Sequence, residues 1–318
     1  MSDGVHLFVP FASAMSEGCK QALRPLALTH LEKLLARLAP VHTEAGDEFT
    51  LSMPYERALG RLCGLPGDDG RIPWAAWQVE QSGREAGGKA WARITPCHWT
   101  VGQNHIDMGH PQDLRLDARE SRLLLEAMQP FFEQDGIALE YDAPTLWLAQ
   151  GELFRGLATP SLDRVVGRTI DEWMPRSPEG RALRRLQQEM QMLLYTHPVN
   201  EERARGGLLP VNSFWASGTG ALPARHAARV PPGLEVTNYL RDAALAGNWR
   251  SWAGGWQQLD AGECARLVKA LDAGEGATLT LCGERNARTW SSRPAGALRR
   301  RLGGLFAGRQ AAAVLETL

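Results

Sequence analysis

The chain has 318 residues, with 35 Lys+Arg against 36 Asp+Glu and a formal net charge of -1. That balance supplies no global field to recruit nucleic acid or an acidic membrane surface. Hydrophobic residues at 44% and charged residues at 22% exclude a disordered or fibrous chain and allow one or two sizeable cores.

In chain order, residues 5–11 (VHLFVPF) read as a short buried strand. Apolar residues at helical spacing follow over 16–38, divided by Pro25, so a helix is expected from about Thr29 and closed by Pro40. Residues 49–63 read as a further helix, 64–70 as a turn cluster and 91–101 as a strand containing Pro96. The clearest helix signal covers 111–134, where Asp117 can cap and Glu120 stands three residues on. A strand pair is predicted over 137–141 and 145–149, a long helix over 177–195, and a strand over 211–216. Residues 218–233 hold Pro and Gly at turn spacing and form the best candidate for a loop or hinge. Strands at 234–239 and 277–282 and helices at 240–245, 261–271, 294–306 and 310–318 complete the chain.

Strands and helices thus alternate. The expected fold is α/β, with a central mixed, largely parallel sheet flanked by helices, in a single domain over 1–318. Trp249, Trp252 and Trp256 share one helical face; they are either a stacking platform or, by default, a stripe packed on the sheet. The five Cys contain no C-x-x-C pair, which indicates neither a disulfide framework nor a zinc knuckle. No apolar run approaches the ~18 residues of a membrane span, and residues 1–6 lack a signal-peptide pattern. The expected location is the cytoplasm, with no membrane partner. There is no P-loop, dinucleotide fingerprint or Gly-x-Ser-x-Gly elbow.

The informative segment is 189–220, EMQMLLYTHPVNEERARGGLLPVNSFWASGTG. A helix ends near Thr196, and Asn200 is placed to cap the next short helix. Ser217-Gly218-Thr219-Gly220 reads as a tight turn. His197, Asn200, Arg203, Asn212 and Ser217 are polar groups at helix and strand ends, where α/β folds bind ligands. They form the candidate ligand site. The competing reading is that Asn200 and Asn212 satisfy loop backbone and His197 caps a backbone group. A weaker candidate, for a metal ion, is His98, His105, Asp107 and His110, in a His-x-Asp-x-x-His arrangement. Arg293, Arg299, Arg300, Arg301 and Arg309 make the C-terminal segment basic. A solvated helix face is the default there and nucleic-acid contact the alternative; Arg181, Arg184 and Arg185 are read the same way.

The pattern HPVN-x2-R-x2-G-x3-PVNSFW-x-SG-x-G resembles one found in archaeal-type cofactor-independent phosphoglycerate mutases. It is closer still to the bacterial RpfE-type regulatory proteins, which are phosphoglycerate-mutase-like. The features that carry this second resemblance are Ala12-Ser13-Ala14 after the first strand, the stretch Thr95-Pro96-Cys97-His98-Trp99 with Gly102, Asp107 and Pro111, and the helix over 189–194. The resemblance implies an alkaline-phosphatase-like fold. In such enzymes two metal ions are held by Asp and His, and a Ser or Thr takes the phosphoryl group. Here the first strand runs into Val9-Pro10-Phe11-Ala12-Ser13-Ala14 with no carboxylate, and Gly283-Glu284-Arg285-Asn286 follows the strand at 277–282. No metal ligand set can be assembled. The expectation is therefore a non-catalytic regulatory relative with no catalytic residues and no cofactor. It would bind a phosphorylated metabolite or a protein partner in the former active-site cleft. The alternatives are a manganese- or zinc-dependent mutase or phosphatase, and a nucleic-acid accessory protein.

Overall fold

The computed structural model describes residues 4–292 and 310–318. The basic cluster of Arg293, Arg299, Arg300, Arg301 and Arg309, and the helix expected over 294–306, lie outside the described residues. The elements run in chain order as follows. First come β1 (Val5–Val9), α1 (Glu17–Leu23), α2 (Thr29–Arg37), β2 (Ala39–Glu44), α3 (Pro54–Cys63), α4 (Trp74–Gln81), β3 (Ala90–Cys97), β4 (Trp99–Val101) and β5 (Ile106–Met108). There follow α5 (Ala118–Gln134), β6 (Ala138–Ala143), β7 (Leu146–Gln150), α6 (Leu162–Val165), α7 (Gly180–Tyr195), α8 (Pro198–Arg205) and β8 (Ser213–Ala221). The chain continues with β9 (Leu234–Val236), α9 (Arg241–Leu245), α10 (Trp249–Leu259), α11 (Ala265–Asp272), β10 (Ala277–Cys282), β11 (Ala287–Ser291) and α12 (Gln310–Leu315). Among the described residues no helix is long and apolar enough to cross a membrane.

The sequence reads as one domain, whereas the contacts group the chain into two compact units. Unit 1 combines 1–63 with 229–318, and unit 2 is 64–228. The second crossing falls inside the 218–233 stretch singled out as a hinge. Where the chain leaves and rejoins unit 1, the Arg229 N–H donates to the Cys63 carbonyl at 2.9 Å.

Unit 1 holds a mixed five-stranded sheet in the order β2-β11-β10-β1-β9. β1 pairs in parallel with β9 and β10, while the β10–β11 and β11–β2 pairs are antiparallel. Two of the four pairings are thus parallel, fewer than the largely parallel sheet expected. Side chains alternate across a strand. Leu7 and Val9 of β1, with Leu279 and Leu281 of β10, therefore face one core, built with α2, α10, α11 and α12. Phe8 and Cys282 face the other, under α3. α2 ends at Arg37, before Pro40, and Pro40 is the second residue of β2, a sheet edge where a missing N–H is tolerated. Trp252 and Trp256 are fully buried in the first core and Trp249 is partly buried against it, so the tryptophan stripe packs on the core as the default reading has it.

Unit 2 holds an antiparallel four-stranded sheet, β6-β7-β3-β8, and a separate β4–β5 hairpin. Its core gathers Ile94, Trp147 and Phe214 from the strands with Leu124, Met128, Leu186 and Met190 from α5 and α7. The capping box at Asp117 and Glu120 forms as expected. Two expectations need correction. Residues 111–114 form a separate 3₁₀ turn, set off from α5 by Arg115 in the left-handed region. The supposed turn at 217–220 continues β8. Gly218 has φ +61°, and a Cβ there would lie 3.0 Å from the Trp74 Cβ. Glycine at 218 thus lets α4 lie close against the strand. α4 itself is buried on Trp74, Ala75, Ala76, Trp77 and Val79.

Candidate functional site

In unit 2 the residues singled out from 189–220 do come together, but as a framework. His197 is the N-cap of α8, its Nδ1 accepting from the Val199 N–H at 3.3 Å, with Pro198 as the first helical residue. Burial lowers its pKa, so the neutral ring that can accept is favoured. Asn200 is therefore not the cap. It sits inside α8, and its Nδ2 donates to the carbonyls of Leu194 at 2.8 Å and Val211 at 2.7 Å, while its Oδ1 accepts from the Val211 N–H at 2.9 Å. One amide thus joins the end of α7 to the lead-in of β8. Asn212 does the same for β4: its Oδ1 accepts from the Trp99 N–H at 2.7 Å and its Nδ2 donates to the Trp99 carbonyl at 2.8 Å.

Arg203 has a side chain with no solvent exposure. Its Nε donates to the Leu209 carbonyl at 2.9 Å, one terminal nitrogen reaches Glu120 Oε2 at 2.5 Å, and the other donates to the Leu114 carbonyl. Buried polar groups are retained when each finds such a partner. Ser217 lies buried within β8, opposite Arg93. Asn200, Arg203 and Asn212 are thus satisfied by the chain's own groups, with Arg203 an internal strut. Sequence reasoning missed Glu120 as the arginine's partner; its place in the capping box was the only signal, and that explained it without Arg203.

Of the four residues of the metal candidate, His98 and His110 bond to backbone while His105 and Asp107 pair with each other. His98 donates from Nδ1 to the Pro210 carbonyl at 2.9 Å. His110 caps the 3₁₀ turn, accepting from the Gln112 N–H at 3.2 Å. His105 Nε2 pairs with Asp107 Oδ2 at 3.2 Å on the exposed β5 hairpin, and Asp107 also accepts from the Thr169 hydroxyl at 2.9 Å. Among the described residues no group of three or more His, Cys, Asp or Glu is placed to hold a metal ion. Of the α7 arginines, Arg184 donates to the Pro175 carbonyl, and Arg185 pairs with Asp135 and Glu189.

In unit 1 the carboxyl ends of the parallel strands are where α/β sheets bind ligands. Phe11, just past β1, is held at φ +57°. Its carbonyl accepts from Trp252 Nε1 at 2.9 Å, and the Ala12 carbonyl accepts from Trp256 Nε1 at 3.1 Å. The Ala12 N–H donates to Cys282 at 2.7 Å, and the Met15 N–H donates to Glu284 Oε2 at 2.8 Å. Beyond β10, the N–H groups of Arg285 and Asn286 converge on the Leu318 carbonyl at 2.9 and 2.6 Å. Asn286 Nδ2 adds a bond to the Thr317 carbonyl at 3.0 Å. A Cβ on Gly283 would lie 2.5 Å from Leu318. The ends of β1 and β10 are therefore closed by two indoles and by Thr317 and Leu318. The donors here are bonded carbonyls and a single engaged carboxylate, a set that does not fit a two-metal centre.

The chain is distantly similar in sequence to cofactor-independent phosphoglycerate mutases. It is 37% identical over 65 residues to the 2,3-bisphosphoglycerate-independent phosphoglycerate mutase of Methanosarcina mazei, covering 20% of this chain and 16% of that one. It is 27% identical over 124 residues to the mutase of Methanothrix thermoacetophila, covering 37% and 31%. The match thus spans under a third of either relative's length. Among solved structures, the cofactor-independent phosphoglycerate mutase of Thermoplasma acidophilum aligns with 92% of this chain and 90% of its own, at 12% identity and a TM-score of 0.35. A protein of Pyrococcus horikoshii aligns over 91% and 87%, at 12% identity and a TM-score of 0.43. No family model matches the chain.

Proposed function

We propose that this chain is a non-catalytic, regulatory relative of the cofactor-independent phosphoglycerate mutases, of the RpfE type, that works by binding a phosphorylated metabolite or a protein partner. On this reading the parallel core β9-β1-β10 is the remnant of an alkaline-phosphatase-like sheet, and the protein works in the cytoplasm. The observation that carries the reading is the end of β1. Where a mutase needs carboxylates for two metal ions, this chain has Pro10-Phe11-Ala12-Ser13, with the Phe11 and Ala12 carbonyls bonded to Trp252 and Trp256. Such neutral, engaged acceptors are poor partners for divalent cations, which bind charged or free donors.

The test pairs turnover with binding. The full chain is assayed for interconversion of 3-phosphoglycerate and 2-phosphoglycerate with manganese or zinc added, and the same preparation is titrated with both compounds by calorimetry. The expected result is saturable binding without turnover. Turnover that a chelator removes and manganese restores would replace this reading with a metal-dependent mutase. Neither turnover nor binding would remove the metabolite and leave the protein partner.

A further inference from the structure

The carboxyl end of β9 opens into a depression of about 450 Å³, lined by residues 235–239 with Glu263 and Arg266. β1 is flanked in parallel by β9 on one side and β10 on the other. Connections diverge at such a point and leave a crevice beyond the strand ends. The end of β1 is closed; the end of β9 is open.

The chemistry of the depression is selective. Both carboxylate oxygens of Glu235 are taken by the Arg266 guanidinium, so that pair is neutral as a unit. Glu263 accepts from the Tyr239 hydroxyl at 2.9 Å. A phenol is a neutral partner and brings no cation to the carboxylate. Thr237 is 9% exposed, and its hydroxyl has no hydrogen-bond partner among the described residues. Such a buried group costs about 1–3 kcal/mol unless something bonds to it. Val236 and Tyr239 are 42% and 40% exposed and supply the apolar surface. Glu263 is presented by the π-helical turn Asp260–Cys264, a departure from regular helix that recurs at functional sites.

A phosphate or carboxylate ligand would meet the net negative charge of this lining. A purely apolar ligand would strip water from Glu263 without replacing it. An ammonium group on an alkyl stem meets every requirement. Its N–H groups can bond to the Glu263 carboxylate, its charge complements the lining, its stem can lie on Tyr239 and Val236, and Thr237, whose hydroxyl lacks a partner among the described residues, belongs to the same lining. We propose that the depression beside β9 is a binding site for a primary ammonium group on an alkyl stem, carried by a free diamine or by a lysine side chain of a partner. The site stands apart from the mutase reading and does not depend on it.

The test uses the full chain, isotope-labelled, in low-salt buffer. It is titrated with putrescine, with N-acetyl-lysine methylamide and with n-butanol, and followed by amide chemical shifts. Saturable shifts at Thr237, Asn238 and Tyr239 with the amines, and none with butanol, are expected. Glu263→Gln keeps an acceptor for Tyr239 but removes the charge, and should weaken binding by about tenfold. Thr237→Val should weaken it as well, while making the chain more resistant to unfolding. Tighter binding of putrescine assigns the site to a free amine, and tighter binding of the lysine derivative assigns it to a partner's lysine. No saturable shift with either amine, an equal response to butanol, or unchanged binding in Glu263→Gln would overturn the proposal.

Discussion

Replacing Arg203 with Met separates the strut described for unit 2 from a ligand-binding role. Methionine keeps most of the alkyl volume and removes the guanidinium. Three partners are then abandoned: Glu120 Oε2, the Leu209 carbonyl and the Leu114 carbonyl. Breaking a buried ion pair from one side costs about 3–5 kcal/mol. The Glu120 side chain is 16% exposed against 0% for Arg203, so water can reach the stranded carboxylate and the low end applies. Each orphaned carbonyl adds about 1 kcal/mol, and part of that returns as the loop relaxes. The expected loss is about 3–4 kcal/mol, confined to unit 2. Because the chain holds two units, a single unfolding curve would merge their transitions. Hydrogen exchange of individual amides in urea resolves them. Exchange in α5, α7 and β8 should quicken while that in β1 and β10 stays unchanged. Glu120→Gln should cost less, since an amide still accepts from both Arg203 and the cap. An Arg203→Met chain that loses under 1 kcal/mol yet no longer binds a phosphorylated compound would refute the strut and restore Arg203 as a ligand group.

Three further outcomes follow from contacts already described. Asn200→Ala removes three buried backbone bonds at once and should destabilise unit 2 by about 2–4 kcal/mol, read as a lower urea midpoint with an unchanged slope. Gly218→Val places a branched side chain at φ +61° against Trp74 and should cost about 2 kcal/mol or more, whereas Gly254→Ala, in an open position on α10, should be neutral or slightly stabilising. His6 has its pKa lowered from 6.5 to about 4, first by burial and then by Arg61. The unfolded chain therefore takes up this proton before the folded one as pH falls. Stability from this group is full above about 6.5 and is lost progressively down to about 4, by roughly 2–3 kcal/mol. Unfolding of His6→Gln over pH 4–7 should lack that slope; an identical pH profile in both proteins would remove His6 as its source.

How far the sequence carried depended on the range of the interactions. The Asp117–Glu120 capping box and the buried face of α10 are local patterns, and they form as read. Pairing direction is not local. The period-two pattern of β10 looks the same whether its neighbour runs parallel, as β1 does, or antiparallel, as β11 does, so the mixed pairing of the unit 1 sheet was hidden. α4 carried no helical stripe because it is apolar nearly all round. The cluster of His197, Asn200, Arg203 and Asn212 was visible as a cluster, but its role was not. Apart from Glu120, its partners are main-chain atoms of Leu114, Leu194, Val199, Leu209, Trp99 and Val211, and no residue type advertises a main-chain group. Ser217-Gly218-Thr219-Gly220 looked like a turn because glycine signals positive φ equally in a turn and in a strand that another element approaches closely.

The single hydrogen bond between Arg229 and Cys63 marks where unit 2 is spliced into unit 1, and it bears on how the chain can be made. During synthesis β1 emerges before either partner, since β9 and β10 begin only at Leu234 and Ala277. At about 5–20 residues per second, β1 waits roughly 10–45 s for its first neighbour. All of unit 2 emerges within that interval, with its strands pairing among themselves. The later-starting unit is thus the first that can finish, while Leu7, Phe8 and Val9 stay uncovered. Rejoining Cys63 directly to Arg229 would shorten that wait by the 165 residues of 64–228. It would also turn a sheet of distant partners into one of near neighbours, which fold faster.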